Sequence, residues 1–114
     1  MVTTVYLSMT TFVEPDLCLY PKRILPEDVR GPDILLAIEV AVASLGYDKR
    51  LKAKIYASHG VREFWVIDAA KRVAWIHRQP HFDGTWGSVE ERRSDEAIVS
   101  EALSSVQIVI GELD

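Results

Sequence analysis

Residues Pro32 to Asp68 read PDILLAIEVAVASLGYDKRLKAKIYASHGVREFWVID, a pattern of strand, helix and strand. Ile34 to Val42 is apolar throughout except for Glu39. A carboxylate in the middle of such a strand is tolerated only when it is paired, protonated or bound to a cation. Glu39 is therefore the first candidate functional residue. Ser44 to Tyr47 reads as a turn and Asp48 to His59 as a helix, with Gly60 as its stop and His59 capping the last carbonyls. Leu51 and Ile55 mark the expected packed face. Asp48, Lys52 and Tyr56 recur at i, i+4 spacing and share one stripe. Two roles are open to Lys52: a surface ion pair with Asp48, or an ammonium aimed at the carboxylates of the preceding strand.

On the C-terminal side, Glu63 to Asp68 and Arg72 to Arg78 form an expected hairpin around Ala69-Ala70-Lys71, with Asp68 as a turn residue and Trp65 and Trp75 anchoring the packing. Gln79 to Gly87 reads as a loop, Ser88 to Arg93 as a further strand, and Ala102 to Glu112 as a short helix or strand. On the N-terminal side, Thr3 to Met9 and Leu17 to Tyr20 are expected strands, joined through a hairpin at Thr10 to Glu14. Asp16 starts the second of these, just behind Pro15. Pro21 to Pro32 breaks regular structure and reads as a surface loop that ends on Asp33.

The chain has 114 residues, 48% of them hydrophobic and 26% charged, which bounds it to one globular domain with a real core. Cys18, the single cysteine, excludes a disulfide framework and fits a reducing compartment, so the cytoplasm is the expected location. No apolar run is long enough to span a bilayer, and no charged-then-apolar leader is seen. With a net charge of -4 the chain does not adhere to nucleic acid by bulk electrostatics, so any DNA contact is local. The basic side chains Lys49, Arg50, Lys52, Lys54 and Arg62 form the best patch.

No phosphate-binding glycine loop, nucleophile elbow or Cys-x-x-Cys pair occurs. His77 and His81 flank Pro80 and do not share a helix face as zinc-binding pairs do. A set of acids with a lysine is left. Carboxylates from adjacent strands bind a hard divalent cation, and a lysine beside them orients water or steadies developing charge.

The stretches EPDL (Glu14 to Leu17), LLAIEVA (Leu35 to Ala41), SLGYD (Ser44 to Asp48), Lys52 and IYASHGVREFWVID (Ile55 to Asp68) together resemble the PD-(D/E)XK nuclease superfamily, and within it the Uma-type family of restriction-endonuclease-like proteins. The resemblance implies an α/β fold, a restriction-endonuclease-like mixed β-sheet with one central helix after the Glu39 strand, and here without the family's N-terminal helix. It implies a metal-dependent endonuclease that hydrolyses DNA phosphodiester bonds with Mg2+ or Mn2+. By it Asp16 is the motif aspartate, with Asp33 as fallback, Glu39 the strand acid, and Lys52 the lysine. The strand position two after Glu39 is Ala41, so the lysine is supplied from the helix. Asp16, Glu39 and the backbone carbonyl of Val40 are the implied metal ligands. The shortened N-terminus leaves a sheet face that a second copy is expected to bury as a homodimer. The alternative is a catalytically inactive dimeric binding or structural module on the same fold.

Overall fold

The computed structural model describes residues 5–7, 12–13, 15–41, 45–93, 97–103 and 106–109. Its elements in chain order are β1 (Val5–Tyr6), β2 (Phe12–Val13), β3 (Leu17–Leu19), β4 (Leu36–Ala41), α1 (Leu45–Ser58), β5 (Glu63–Asp68), β6 (Val73–Pro80), β7 (Trp86–Arg93), β8 (Ala97–Val99) and β9 (Gln107–Val109). The main sheet runs in the order β3-β4-β5-β6-β7, while β1 pairs with β2 and β8 with β9 in separate two-stranded sheets. β4 and β5 are parallel; every other neighbouring pair of the main sheet is antiparallel. This is the mixed α/β architecture of the restriction-endonuclease-like fold, with one helix after the Glu39 strand. The hairpin expected to join Thr3 to Met9 with Leu17 to Tyr20 around Thr10 to Glu14 is not what forms: Phe12 and Val13, inside the expected turn, are β2 and pair with β1, while β3 pairs with β4. Thr10, Thr11 and Glu14 lie outside the described residues.

β5 is buried at every position, Glu63 to Asp68. A central strand paired on both edges and covered on both faces has no use for alternation, so its sequence is apolar with an acid at each end. On one face α1 covers Ala37, Phe64 and Val66 with Ala53 and Tyr56, and Cys18, Tyr20, Ile55, Trp75 and Trp86 pack around them. The other face holds Leu36, Ile38, Trp65, Ile67, Ala74 and Ile76, and it is closed by Ile98 of β8 with Val106 and Ile108. The face expected to need a second copy is thus covered by the chain's own C-terminal hairpin. Where the sequence allowed helix or strand for Ala102 to Glu112, the described part contains β9.

α1 starts at Leu45, inside the turn expected at Ser44 to Tyr47 and before the expected helix start at Asp48, and Gly46 lies within its first turn. Glycine costs about 1 kcal/mol relative to alanine inside a helix, a preference that tertiary packing overrides. The packed stripe is Ala53, Tyr56 and Ala57, all buried, whereas Leu51 is 43% exposed. The two alanines let the helix approach the sheet closely, and Leu51 lies on the other side of the cylinder. Gly60 ends α1 with φ of 81°. Its N–H donates to the Ala57 carbonyl at 3.0 Å and that of Val61 to the Tyr56 carbonyl at 3.1 Å, the Schellman arrangement. His59 Nδ1 sits 2.8 Å from the Ile55 carbonyl, as expected of a cap.

The segment Pro21 to Pro32 is more ordered than a surface loop. It carries 3-10 turns at Pro26–Asp28 and Gly31–Asp33 and buries Val29. Gly31 lies against the His59 backbone with no room for a Cβ, which ties this segment to the end of α1. In the hairpin after β5, Asp68 accepts from the Lys71 N–H at 2.9 Å, the expected turn role. β6 and β7 extend further than expected, leaving only 81–85 as the connection.

Glu63 is 1% exposed, a burial that nothing in its sequence neighbourhood signals. Its Oε1 accepts from Ser100 Oγ at 2.7 Å and from the N–H groups of Glu101 and Ala102 at 3.0 and 3.3 Å. Its Oε2 accepts from Trp65 Nε1 at 2.8 Å and Arg78 Nε at 3.1 Å. This carboxylate fastens the C-terminal hairpin to β5. Glu63→Ala leaves a guanidinium, an indole N–H and two amides without their acceptor. The loss should be about 3–5 kcal/mol, the scale for breaking a buried ion pair, read by urea unfolding, with amide-exchange protection of β8 and β9 falling first.

His77 is also buried, its ring 5.3 Å from Phe64 and 5.5 Å from Trp86 between centroids. Burial holds its imidazole below the ordinary 6.5. The unfolded chain therefore takes up the proton at higher pH than the folded one, and stability that is full above about pH 6.5 declines as the pH falls below it. Urea midpoints between pH 5 and 8 should show this slope, and His77→Gln should flatten it.

Candidate functional site

The antiparallel register of β3 and β4 pairs Leu17 with Ile38 and Cys18 with Ala37. Continued by one step, it sets Asp16 opposite Glu39. Residues alternate between faces along a strand. Cys18 and Ala37 belong to the cluster under α1 and Leu17 and Ile38 to the opposite one. Asp16 and Glu39 therefore share the face that α1 covers. This is a nonlocal result: Asp16, in the bend just before β3, and Glu39 on β4 are separated in sequence by the whole Pro21 to Pro32 segment, and the pairing of β3 with β4 brings them together.

Glu39 is the part-buried member, its side chain 13% exposed. Lys52 Nζ donates to its Oε1 at 2.9 Å, and the Tyr56 hydroxyl donates to its Oε2 at 3.0 Å. Both donors come from one stripe of α1, one turn apart, so a single helix face supplies the cation and the hydroxyl that the mid-strand acid requires. Of the two roles open to Lys52, the structure shows the one directed at the strand carboxylate; the Asp48 side chain lies outside the described part. Asp16 is exposed and its Oδ2 accepts from the Val40 N–H at 2.7 Å, which fixes it beside the peptide that follows Glu39. Val40 itself is 46% exposed. Asp33 takes a different part: its carboxylate accepts from the Arg30 N–H at 2.9 Å and closes the 3-10 turn before β4.

In the sequence Tyr56 stands out only as a member of the stripe. It is fully buried, with its ring 4.4 Å from that of Phe64. Burial pushes its phenol far above the ordinary range, and the charge of Glu39, the hydrogen bond to it, and more weakly Cys18 and Asp16, add to the effect. The hydroxyl is therefore a permanent donor at any ordinary pH. A buried tyrosine one turn from Lys52 needs a partner for its hydroxyl, and that need was the available signal. Cys18 packs at the edge of the same cluster, and burial raises its thiol to about 11, which makes it an inert neighbour.

Of the basic patch, Lys52 is engaged by Glu39 and Lys49 Nζ lies 3.9 Å from the centroid of the Trp75 ring, a cation–π contact. Arg50, Lys54 and Arg62 are exposed. His77 is in the core and His81 is exposed, so the two histidines occupy different environments. Among the described residues no three His, Cys, Asp or Glu side chains gather as a metal cluster, and no helix is long and apolar enough to cross a membrane.

The arrangement is a pair of carboxylates from adjacent strands, a lysine on one of them and a buried hydroxyl behind it. No curated protein matches the chain. The sequence model of the Uma2 family, described as "Putative restriction endonuclease", matches residues 2–111. With nearly its whole length matched and with that fold and that acid–lysine face, the chain belongs to the Uma2 family.

Proposed function

We propose that the protein is a metal-dependent endonuclease that hydrolyses DNA phosphodiester bonds at the face formed by Asp16, Glu39 and Lys52. The observation that carries this reading is the Lys52–Glu39 contact of 2.9 Å on the face that Asp16 shares. It reproduces an acid–acid–lysine set although Ala41 stands where the strand motif has its lysine.

The donor chemistry fits a hard divalent cation. Asp16, Glu39 and the Val40 carbonyl offer only oxygens, and Mg2+ is commonly held by one or two carboxylates with waters and substrate phosphate completing its shell. When bound, such a cation polarises the phosphate and lowers the pKa of a bound water. The chain's own groups do the rest. Asp16 is held in place by the Val40 amide. Lys52, with 45% of its side chain exposed, reaches both Glu39 and solvent. There it orients the attacking water or steadies charge on the phosphoryl oxygens. The water oxygen bonds to phosphorus and gives up a proton to solvent as the bond to the leaving sugar oxygen breaks, and that oxygen takes up a proton from solvent. Exposed Arg50, Lys54 and Arg62 offer local contacts to the DNA backbone, which an acidic chain needs to hold DNA at all.

The test is nicking of supercoiled plasmid with Mg2+ or Mn2+. The intact chain should nick, chelation should stop it, and Glu39→Ala should abolish it while the circular dichroism spectrum is kept. Lys52→Met should lower kcat by about 10²–10³-fold, the usual effect of removing one donor to developing charge. Nicking that survives Glu39→Ala would remove that acid from the mechanism. The non-catalytic alternative expects no metal-dependent nicking from the intact chain and a Glu39→Gln protein that keeps its function.

A further inference from the structure

Among the described residues, Glu39 is held by two donors of opposite character. Tyr56 is fully buried and its ring is fixed against Phe64 at 4.4 Å. Lys52 stands one turn earlier with 45% of its side chain exposed, on a flexible four-carbon stem. Each takes its own oxygen, Tyr56 Oε2 at 3.0 Å and Lys52 Oε1 at 2.9 Å. Were Lys52 the only donor, its departure would leave a carboxylate over an apolar surface, and the carboxylate would rotate toward water.

We propose that Tyr56 is a positioning residue that keeps the Glu39 carboxylate aimed into the site by itself, so that Lys52 can exchange Oε1 for a phosphate oxygen of bound DNA. The inference rests on the nuclease reading of this face and adds a division of labour to it. The buried hydroxyl is the fixed support and the lysine the movable one. A ring packed in the core cannot follow a ligand out, whereas the exposed ammonium can. The same arrangement explains how Oε1 becomes open to a cation: the ammonium that occupies it has a phosphate to go to.

Three measurements test this, the first of which needs neither metal nor activity. In a crystal structure of Lys52→Met, Glu39 Oε2 should stay within hydrogen-bond distance of the Tyr56 hydroxyl with the carboxylate direction unchanged. A Glu39 turned away to solvent while Tyr56 is intact overturns the proposal. The second is calorimetric Mn2+ titration of the 114-residue chain. Tyr56→Phe, which keeps the ring and its packing, should weaken Mn2+ binding by about 10-fold, the lower end of what loss of a supporting hydrogen bond to a metal ligand costs. Lys52→Met should bind Mn2+ at least as well as the unaltered chain. Plasmid nicking by Tyr56→Phe should recover as Mn2+ is raised, and that by Lys52→Met should not. Equal Mn2+ affinity in folded Tyr56→Phe and the unaltered chain overturns the role of Tyr56. An unaltered chain that binds no Mn2+ instead overturns the nuclease reading, and the Lys52→Met structure then still decides whether Tyr56 alone holds Glu39.

Discussion

Two parallel strands lying side by side cannot be joined by a tight turn; the chain has to cross the sheet between them. β4 and β5 are such a pair, with Glu39 in register with Val66 and Ala41 with Asp68. α1 is the crossover, and both the core and the site depend on where it lies. It covers one face of the two central strands, brings Lys52 and Tyr56 over the last residues of β4, and is closed at Gly60 so that β5 begins at once. The other face is left to the C-terminal hairpin. Both central strands can then be apolar on both sides, as the runs LLAI and FWVI require.

Within this sheet two glutamates lie on opposite faces, Glu63 fully buried and Glu39 partly, and the contrast between them bears on the proposed site. Glu63 is met by five donors, two of them backbone amides and one an arginine with 18% of its side chain exposed. Every oxygen is committed and nothing near it can move without disturbing β8. Glu39 is met, among the described residues, by one buried hydroxyl and one ammonium that solvent can reach. A purely structural acid gains from donors that stay, because an orphaned buried charge costs several kcal/mol. An acid that binds ligands gains from a donor that can leave.

The parts of this fold that were legible in the sequence are those encoded by local spacing. Gly60 stops α1 because only a left-handed residue fits there; Lys52 and Tyr56 fall on one stripe because a helix repeats every 3.6 residues; Glu39 stands out because an apolar strand has no other use for a carboxylate. The strand–helix–strand order carries the fold class. The features that the sequence concealed depend on contacts between distant segments. Asp16 and Asp33 each follow a proline, and only the β3–β4 register separates the one that faces Glu39 from the one that closes a turn. β8 and β9 are three-residue strands with a single well-buried side chain, Ile98, too short for any periodicity to show. Their anchor, Glu63, reads as an ordinary acid at a strand start until its donors some 37 to 39 residues away are in view. Leu51 misled for a related reason: it is the larger apolar residue, but alanines make the closer contact with a sheet.

Charge gives the site its last constraint. Asp16 and Glu39 carry two negative charges and Lys52 returns one, so the cluster is net negative by one charge before any ligand arrives, in a chain that is itself at -4. A phosphodiester approaching that face meets repulsion, which the exposed Arg50, Lys54 and Arg62 offset only from a distance and only as far as salt allows. On the proposed reading a divalent cation reverses the sign, leaving the cluster positive by one charge. It also competes with Lys52 for Glu39. The ammonium displaced from Oε1 is then drawn to the phosphate that the same change of sign attracts. On that same proposal, cation binding, phosphate binding and the release of Lys52 are mutually favourable, and each depends on Glu39 staying in place while its lysine leaves. Among the groups touching Glu39, the one whose burial lets it serve as that fixed support is Tyr56.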